Sequence, residues 1–149
     1  MIIGLVGNEH VGKDTIANYL AKIYNFRKYN LADPIKEIAH TVFGWGQNQL
    51  NGKLKDNIDQ ETGIIPREFF KWVGTEVFQY EIHNKFPELK INERCIWANC
   101  MKQFIEIHGN NSHIVITDIR FKHEADILIK SGGFLLYIDR DSTYSDNSI

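Results

Sequence analysis

The chain has 149 residues, 17 Lys plus Arg against 19 Asp plus Glu, a formal net charge of -2 and 43% hydrophobic content. That length suits one domain, and the near-neutral balance argues against binding that rests on a basic excess, whether to nucleic acid or to an anionic membrane. With 3 Pro, 11 Gly and no low-complexity tract, disordered and collagen-like chains are excluded, and the expectation is a single packed domain over residues 1–149.

In chain order, Ile2–Val6 is a short, largely β-branched run closed by Gly7, as expected of a strand buried on both faces. Ile16, Tyr19, Leu20 and Ile23 repeat at helical spacing and predict a helix over Lys13–Tyr24. Phe26–Leu31 fits a second strand, and Pro34 opens a helix with Ile35, Ile38 and Val42 on one stripe. Gly44 to Ile64 is polar and scattered with Gly, Asn and Asp, the composition of a mobile excursion over about 44–65. Pro66 starts a helix to about His83, followed by an irregular stretch around Pro87. Ile96, Cys100, Phe104 and His108, flanked by Trp97, Met101 and Ile105, mark a helix stopped at Gly109, on which Cys95 and Cys100 read as buried small hydrophobes. His113–Thr117 is expected as a buried strand, Phe121–Lys130 as a helix closed by Gly132, and Phe134–Ile138 as another buried strand.

This alternation predicts an α/β fold, a parallel sheet with helices on both faces and ligands at the carboxyl ends of its strands. No apolar run approaches the roughly 20 residues of a membrane-spanning helix, and the N-terminus carries no secretory signal, so the expected location is the cytoplasm. The two cysteines suit a reducing compartment, and neither they nor the histidines have metal-binding spacing.

Gly7-Asn8-Glu9-His10-Val11-Gly12-Lys13 fits GxxxxGK between a predicted strand and a predicted helix, the context that a phosphate-binding P-loop requires. Its glycines let successive N–H groups turn toward phosphate oxygens, the helix N-terminus adds positive potential, and Lys13 can reach the β- and γ-phosphates. Asp14 follows where Ser or Thr is usual. Its carboxylate is read either as a ligand or orienter of Mg²⁺ or as a partner of the helix dipole, and Thr15 is placed to bond an inner phosphate.

From the GKDT of Gly12–Thr15 onward, the sequence resembles the deoxynucleoside monophosphate kinases of bacteriophages and related viral or bacterial enzymes. Leu31-Ala32-Asp33-Pro34-Ile35-Lys36 is similar to that family's A-x-P-I-K segment. Pro66-Arg67, Lys71 and Gly74-Thr75-Glu76 resemble its PR…LGTE helix, with Val73 in place of Leu. Asp118-Ile119-Arg120 with Glu124 resembles its D-x-R-x-x-x-E segment, and Gly133–Arg140 the strand that follows. The family commonly runs several tens of residues past the position of Arg140, to a strand and helix near the adenine, so the resemblance implies a shortened adenine side here.

The resemblance implies a P-loop, nucleoside monophosphate kinase-like fold and ATP-dependent phosphorylation of a (deoxy)nucleoside monophosphate to the diphosphate, with Mg²⁺, in a host cytoplasm for a viral chain. Monomer and homodimer both stay open. Phosphoryl transfer to an ionised phosphate needs cations rather than a strong base. Arg67 and Lys71, four apart on a helix with Gly74 and Thr75 at the next turn, can clamp the acceptor; the bland alternative is solvated surface charge. Asp118, Arg120 and Glu124 fall at a strand end beside the P-loop, as a catalytic group with Lys13 or as an ion-pair cluster at a helix start. Lys36 can reach either phosphate, Trp97 is core or base contact, and Arg94 and Arg140 are candidate lid cations. Two alternatives remain: a phosphomevalonate-kinase-like enzyme, which shares a GKD loop, and a nucleotide-binding module without turnover.

Overall fold

The computed structural model describes residues 1–139, and within the chain two units separate: Met1–Asn30 with the residues from Met101 onward, and Leu31–Cys100. Arg140 lies outside the described residues.

The first unit is built on a parallel sheet of β1 (Ile2–Val6), β2 (Arg27–Asn30), β3 (Ile114–Thr117) and β4 (Phe134–Tyr137), in the order β2-β3-β1-β4. Every ladder is parallel: Ile3 pairs with Val115 and with Phe134, and Tyr29 with Ile116. Side chains alternate faces along a strand. Ile3, Leu5 and Val115 accordingly pack with Ala17 and Leu20 of α1 (Lys13–Tyr24). On the opposite face, at Gly4, a side chain would collide with Ile119 and with Leu128 of α7 (Lys122–Lys130), while Tyr29 stacks on Phe104 of α6 (Ile96–His108) at 4.6 Å. The expected α/β sheet covered on both faces is therefore present.

Two faces differ from expectation. All four residues of β4 are exposed, because it is the edge strand of the described sheet. Its apolar run marks strand-forming tendency rather than burial. In α6 the most buried residues are Trp97, Ala98, Met101 and Ile105, one position round from the expected Cys100 and Phe104, and both cysteines are half-buried.

The second unit contains α2 (Asp33–Phe43), α3 (Gln47–Leu50), a 3-10 turn (Lys53–Asp56), α4 (Pro66–Lys71), a π-helical stretch (Trp72–Glu81) and α5 (Ile82–Lys85). Its core gathers Ala39, Trp45 and Leu50 with Phe43, Ile64, Phe69 and Phe70. Phe43 meets Trp45 at 4.7 Å and Phe69 at 5.1 Å, which turns the Ile35–Ala39–Phe43 side of α2 inward and leaves Val42 exposed, against the predicted stripe. Residues 44–65, expected as one polar excursion, carry the two short helical pieces and are anchored by buried Trp45 and Leu50. None of the described helices is long and apolar enough to cross a membrane.

Candidate active site

β1 ends at Val6 and α1 begins at Lys13, so Gly7–Gly12 form the turn between strand and helix. Gly7 has φ +152° and a side chain there would run into the Ile138 carbonyl oxygen; Gly12 has φ +104° with open space beside it. Both positions favour glycine, Gly7 for conformation and close approach, Gly12 for conformation alone. His10 also sits at positive φ, and Asn8, Glu9 and His10 are exposed. The Lys13 amine folds back over this turn, donating to the carbonyl oxygens of Gly7 at 2.7 Å and Asn8 at 2.6 Å. No side chain caps the N-terminus of α1, whose first-turn residues Asp14 and Thr15 are exposed. Half-buried Val11 packs near Gly7 and shapes the turn. A strand-to-helix turn of this shape, with an ammonium drawn over it, is the geometry that a phosphate cradle requires.

β3 lies beside β1 in the parallel sheet, so the segment after Thr117 emerges at the same carboxyl edge as the P-loop. Asp118 there adopts φ +71°, a conformation that Asp tolerates better than most residues. Its Oδ1 accepts from Arg120 Nε at 2.7 Å, and this hydrogen bond, with the nearby charges of Asp118, Glu9 and Glu124, raises the guanidinium's pKa further above its ordinary value. Glu124, expected in a catalytic group or an ion-pair cluster with Arg120, is bonded to backbone. Its Oε2 accepts from the backbone N–H groups of Arg120 at 2.8 Å and Phe121 at 3.0 Å, closing the first turn of α7, while Asp118 is what holds the Arg120 guanidinium. Buried Glu124 thus fixes the backbone from which Arg120 extends.

In the second unit Arg67, in the first turn of α4, forms a two-pronged ion pair with Asp56, one prong being Nη2 to Oδ2 at 3.0 Å. Lys71 pairs with Glu68 at 3.1 Å. The predicted face does not continue through Gly74 and Thr75, because the helix widens to π geometry at Trp72 and loses the four-residue register. Gly74 is buried, with Ile35 Cδ1 2.8 Å from where a Cβ would stand, and its carbonyl accepts from the Trp97 indole N–H at 2.7 Å; Thr75 is exposed. Trp97 is 7% exposed and also packs on Phe78, an arrangement that serves packing. Lys36, in the first turn of α2, is close enough to influence the charge of Lys55. Arg94 sits at φ +64° in the loop before α6.

Sequence reasoning missed Lys55 and Asp56. Lys55 Nζ stands 5.5 Å over the Phe70 ring, and burial first, then Lys36 and Arg67, lower its pKa from the usual lysine range. The turn bearing them borders a cavity of about 760 Å³ lined by Phe43, Trp45, Gln49, Leu54, Asn57 and Gln60, among others. Among the described residues no three His, Cys, Asp or Glu side chains gather to hold a metal ion.

The sequence profile of the family described as "Deoxynucleotide monophosphate kinase" matches residues 1–68, the part that holds the P-loop, α2 and Arg67. A protein of Acanthamoeba polyphaga mimivirus named "Putative deoxynucleotide monophosphate kinase" is 30% identical over 151 aligned positions, covering 99% of this chain and 78% of the relative. A relative of that similarity and coverage, together with the profile and the P-loop sheet, places the chain: it belongs to the deoxynucleotide monophosphate kinase family, among the phosphotransferases that act on nucleotides.

Proposed function

We propose that this protein transfers the γ-phosphoryl group of ATP to a deoxynucleoside monophosphate, giving the diphosphate. The observation that carries the reading is the P-loop: two glycines at positive φ, an uncapped helix N-terminus, and the Lys13 amine drawn over the turn. Gly7–Thr15 bind the triphosphate, the backbone N–H groups holding its oxygens and Lys13 following the charge of the migrating group. Mg²⁺ fits a site of this kind, because nucleotide phosphates and water supply most of its ligands and one exposed carboxylate, Asp14, suffices from the protein. When bound, the ion supplies charge neutralisation along the phosphates.

Arg120 neutralises charge on the transferring group, with Asp118 fixing the plane of its fork and Glu124 fixing its backbone. On the acceptor side, Arg67 and Lys36 bind the monophosphate's phosphate, with Lys71 nearby. A nucleoside rather than a small polyol ester is favoured by the cavity flanking the 3-10 turn, where the Phe43 and Trp45 rings and the amides of Gln49 and Asn57 can meet a base beside the Asp59 and Glu61 carboxylates, and whose volume lies within the usual range for small-ligand pockets.

The test is ADP release from MgATP with a panel of deoxynucleoside and nucleoside monophosphates and phosphomevalonate as acceptors. Release dependent on a deoxynucleoside monophosphate supports the assignment. Release only with phosphomevalonate, or nucleotide binding without release, overturns it.

A further inference from the structure

Four cations of the second unit come from three stretches of chain: Lys36 from the first turn of α2, Lys55 from the 3-10 turn, and Arg67 and Lys71 from α4. Their clustering costs electrostatic energy. Asp56 sits among them, and Arg67 grips it with two parallel N–H donors, the fork geometry that Arg also uses on a phosphate. Hydrogen bonding from Arg67 keeps the Asp56 carboxyl below the usual carboxylate range, so it is an anion throughout neutral pH. Both partners are largely exposed, 46% and 60%, so water competes for each and the pair can open at little cost. Lys55 is held differently. Its amine rests over the Phe70 ring rather than on a carboxylate, and two neighbouring cations already act on it.

We propose that the Lys53–Asp56 turn is part of the acceptor-phosphate site, with Lys55 as a further phosphate-binding cation and Asp56 as an internal competitor that holds the Arg67 fork until the acceptor's phosphate replaces it. This rests on the reading of Arg67 as the acceptor clamp. Asp56 keeps the guanidinium oriented and answers the charge cluster. It also sets a threshold: a dianionic monophosphate outcompetes one carboxylate for the fork and gains Lys55 as well, whereas a monoanionic or uncharged ligand gains little.

The experiment is calorimetric titration of the full-length protein with a deoxynucleoside monophosphate, and separately with orthophosphate, alongside steady-state kinetics. Asp56→Asn is expected to tighten both ligands about two- to fivefold, the scale of an exposed ion pair, and to lower KM for the acceptor while KM for ATP stays put. Lys55→Gln is expected to weaken both ligands roughly three- to tenfold, again without an effect on ATP. Glu88→Gln, an equal change in net charge at an exposed position of the same unit outside the cavity and the cation cluster, should leave all these values within about twofold. In an Arg67→Ala background the Asp56→Asn gain should vanish, since competition needs the fork. Unchanged or weaker acceptor binding in Asp56→Asn, or a gain that persists without Arg67, overturns the proposal. Arg67→Ala with undiminished acceptor binding would instead refute the clamp on α4 itself, a separate failure. Thermal melts of each variant confirm that differences in binding are not losses of fold.

Discussion

In the function we propose, the P-loop and the cation cluster around Arg67 handle the same chemical group in opposite ways. Gly7–Lys13 is one unbroken stretch whose backbone does the work: two positive-φ glycines, a helix start, and an amine tied to the loop's own carbonyls. The acceptor side has no such loop. Lys36, Lys55, Arg67 and Lys71 come from three stretches of chain and carry their own counter-ions, Asp56 for Arg67 and Glu68 for Lys71. A cradle made of backbone is rigid and indifferent to small changes of side chain, whereas a cluster of long side chains is adjustable and exchanges partners. That suits a donor phosphate chain common to many enzymes and an acceptor that has to be selected.

The largest effect expected from breaking this contrast is at Lys13. Lys13→Ala should lower kcat by on the order of 100- to 1,000-fold, because no other cation is built into the loop, and steady-state ADP release reads this directly. Arg120→Lys comes next. It keeps the charge but loses the planar fork gripped by Asp118, so kcat should fall by roughly tenfold or more while calorimetric affinities for both nucleotides stay within about twofold. Equal losses in affinity and kcat would make Arg120 a ground-state ligand.

Two smaller effects sharpen the comparison away from the charges. Trp97→Phe removes the indole N–H from the buried Gly74 carbonyl and should cost about 1 kcal/mol in denaturant unfolding, with little change in KM for either substrate. A large rise in acceptor KM would return Trp97 to the base site. The smallest effect is at Cys100, whose thiol is pushed up by burial. Alkylation of the native protein should therefore be slower at pH 8 than for a free thiol and accelerate with pH. The sign for stability follows: the unfolded chain gives up this proton more readily, so the contribution is present below the ordinary thiol pKa and fades as pH rises through the native one.

What was legible in the sequence was whatever depends on neighbours along the chain. Ile2–Val6, Lys13–Tyr24 and the glycine-bounded turn between them came through at their observed bounds because a β-branched run, a helical repeat and two glycines encode them locally. The 44–65 segment was harder to read, since Trp45 and Leu50 are isolated apolar residues in a polar stretch and their burial depends on Phe43, Phe69 and Phe70 arriving from elsewhere. The same dependence hid Asp56, eleven residues from Arg67. The Arg67–Thr75 face failed for another reason: a switch from four-residue to wider helical register is a choice of hydrogen bonding that residue spacing does not announce. The exposure of β4 likewise depends on its place at the edge of the sheet, not on its composition.

The close approach of Ile138 to Gly7 has a practical side. The Ile138 amide donates to the Val6 carbonyl at 2.7 Å, and its own carbonyl presses on the glycine where the phosphate loop begins. The backbone leaving β4 thus lies against the proposed donor site, so an isotope label on the carbonyl of Ile138 would serve as a reporter of that site. Its vibrational frequency would shift when the Gly7 turn tightens on a triphosphate, giving an optical readout of donor occupancy that needs no turnover and no probe inside the cradle.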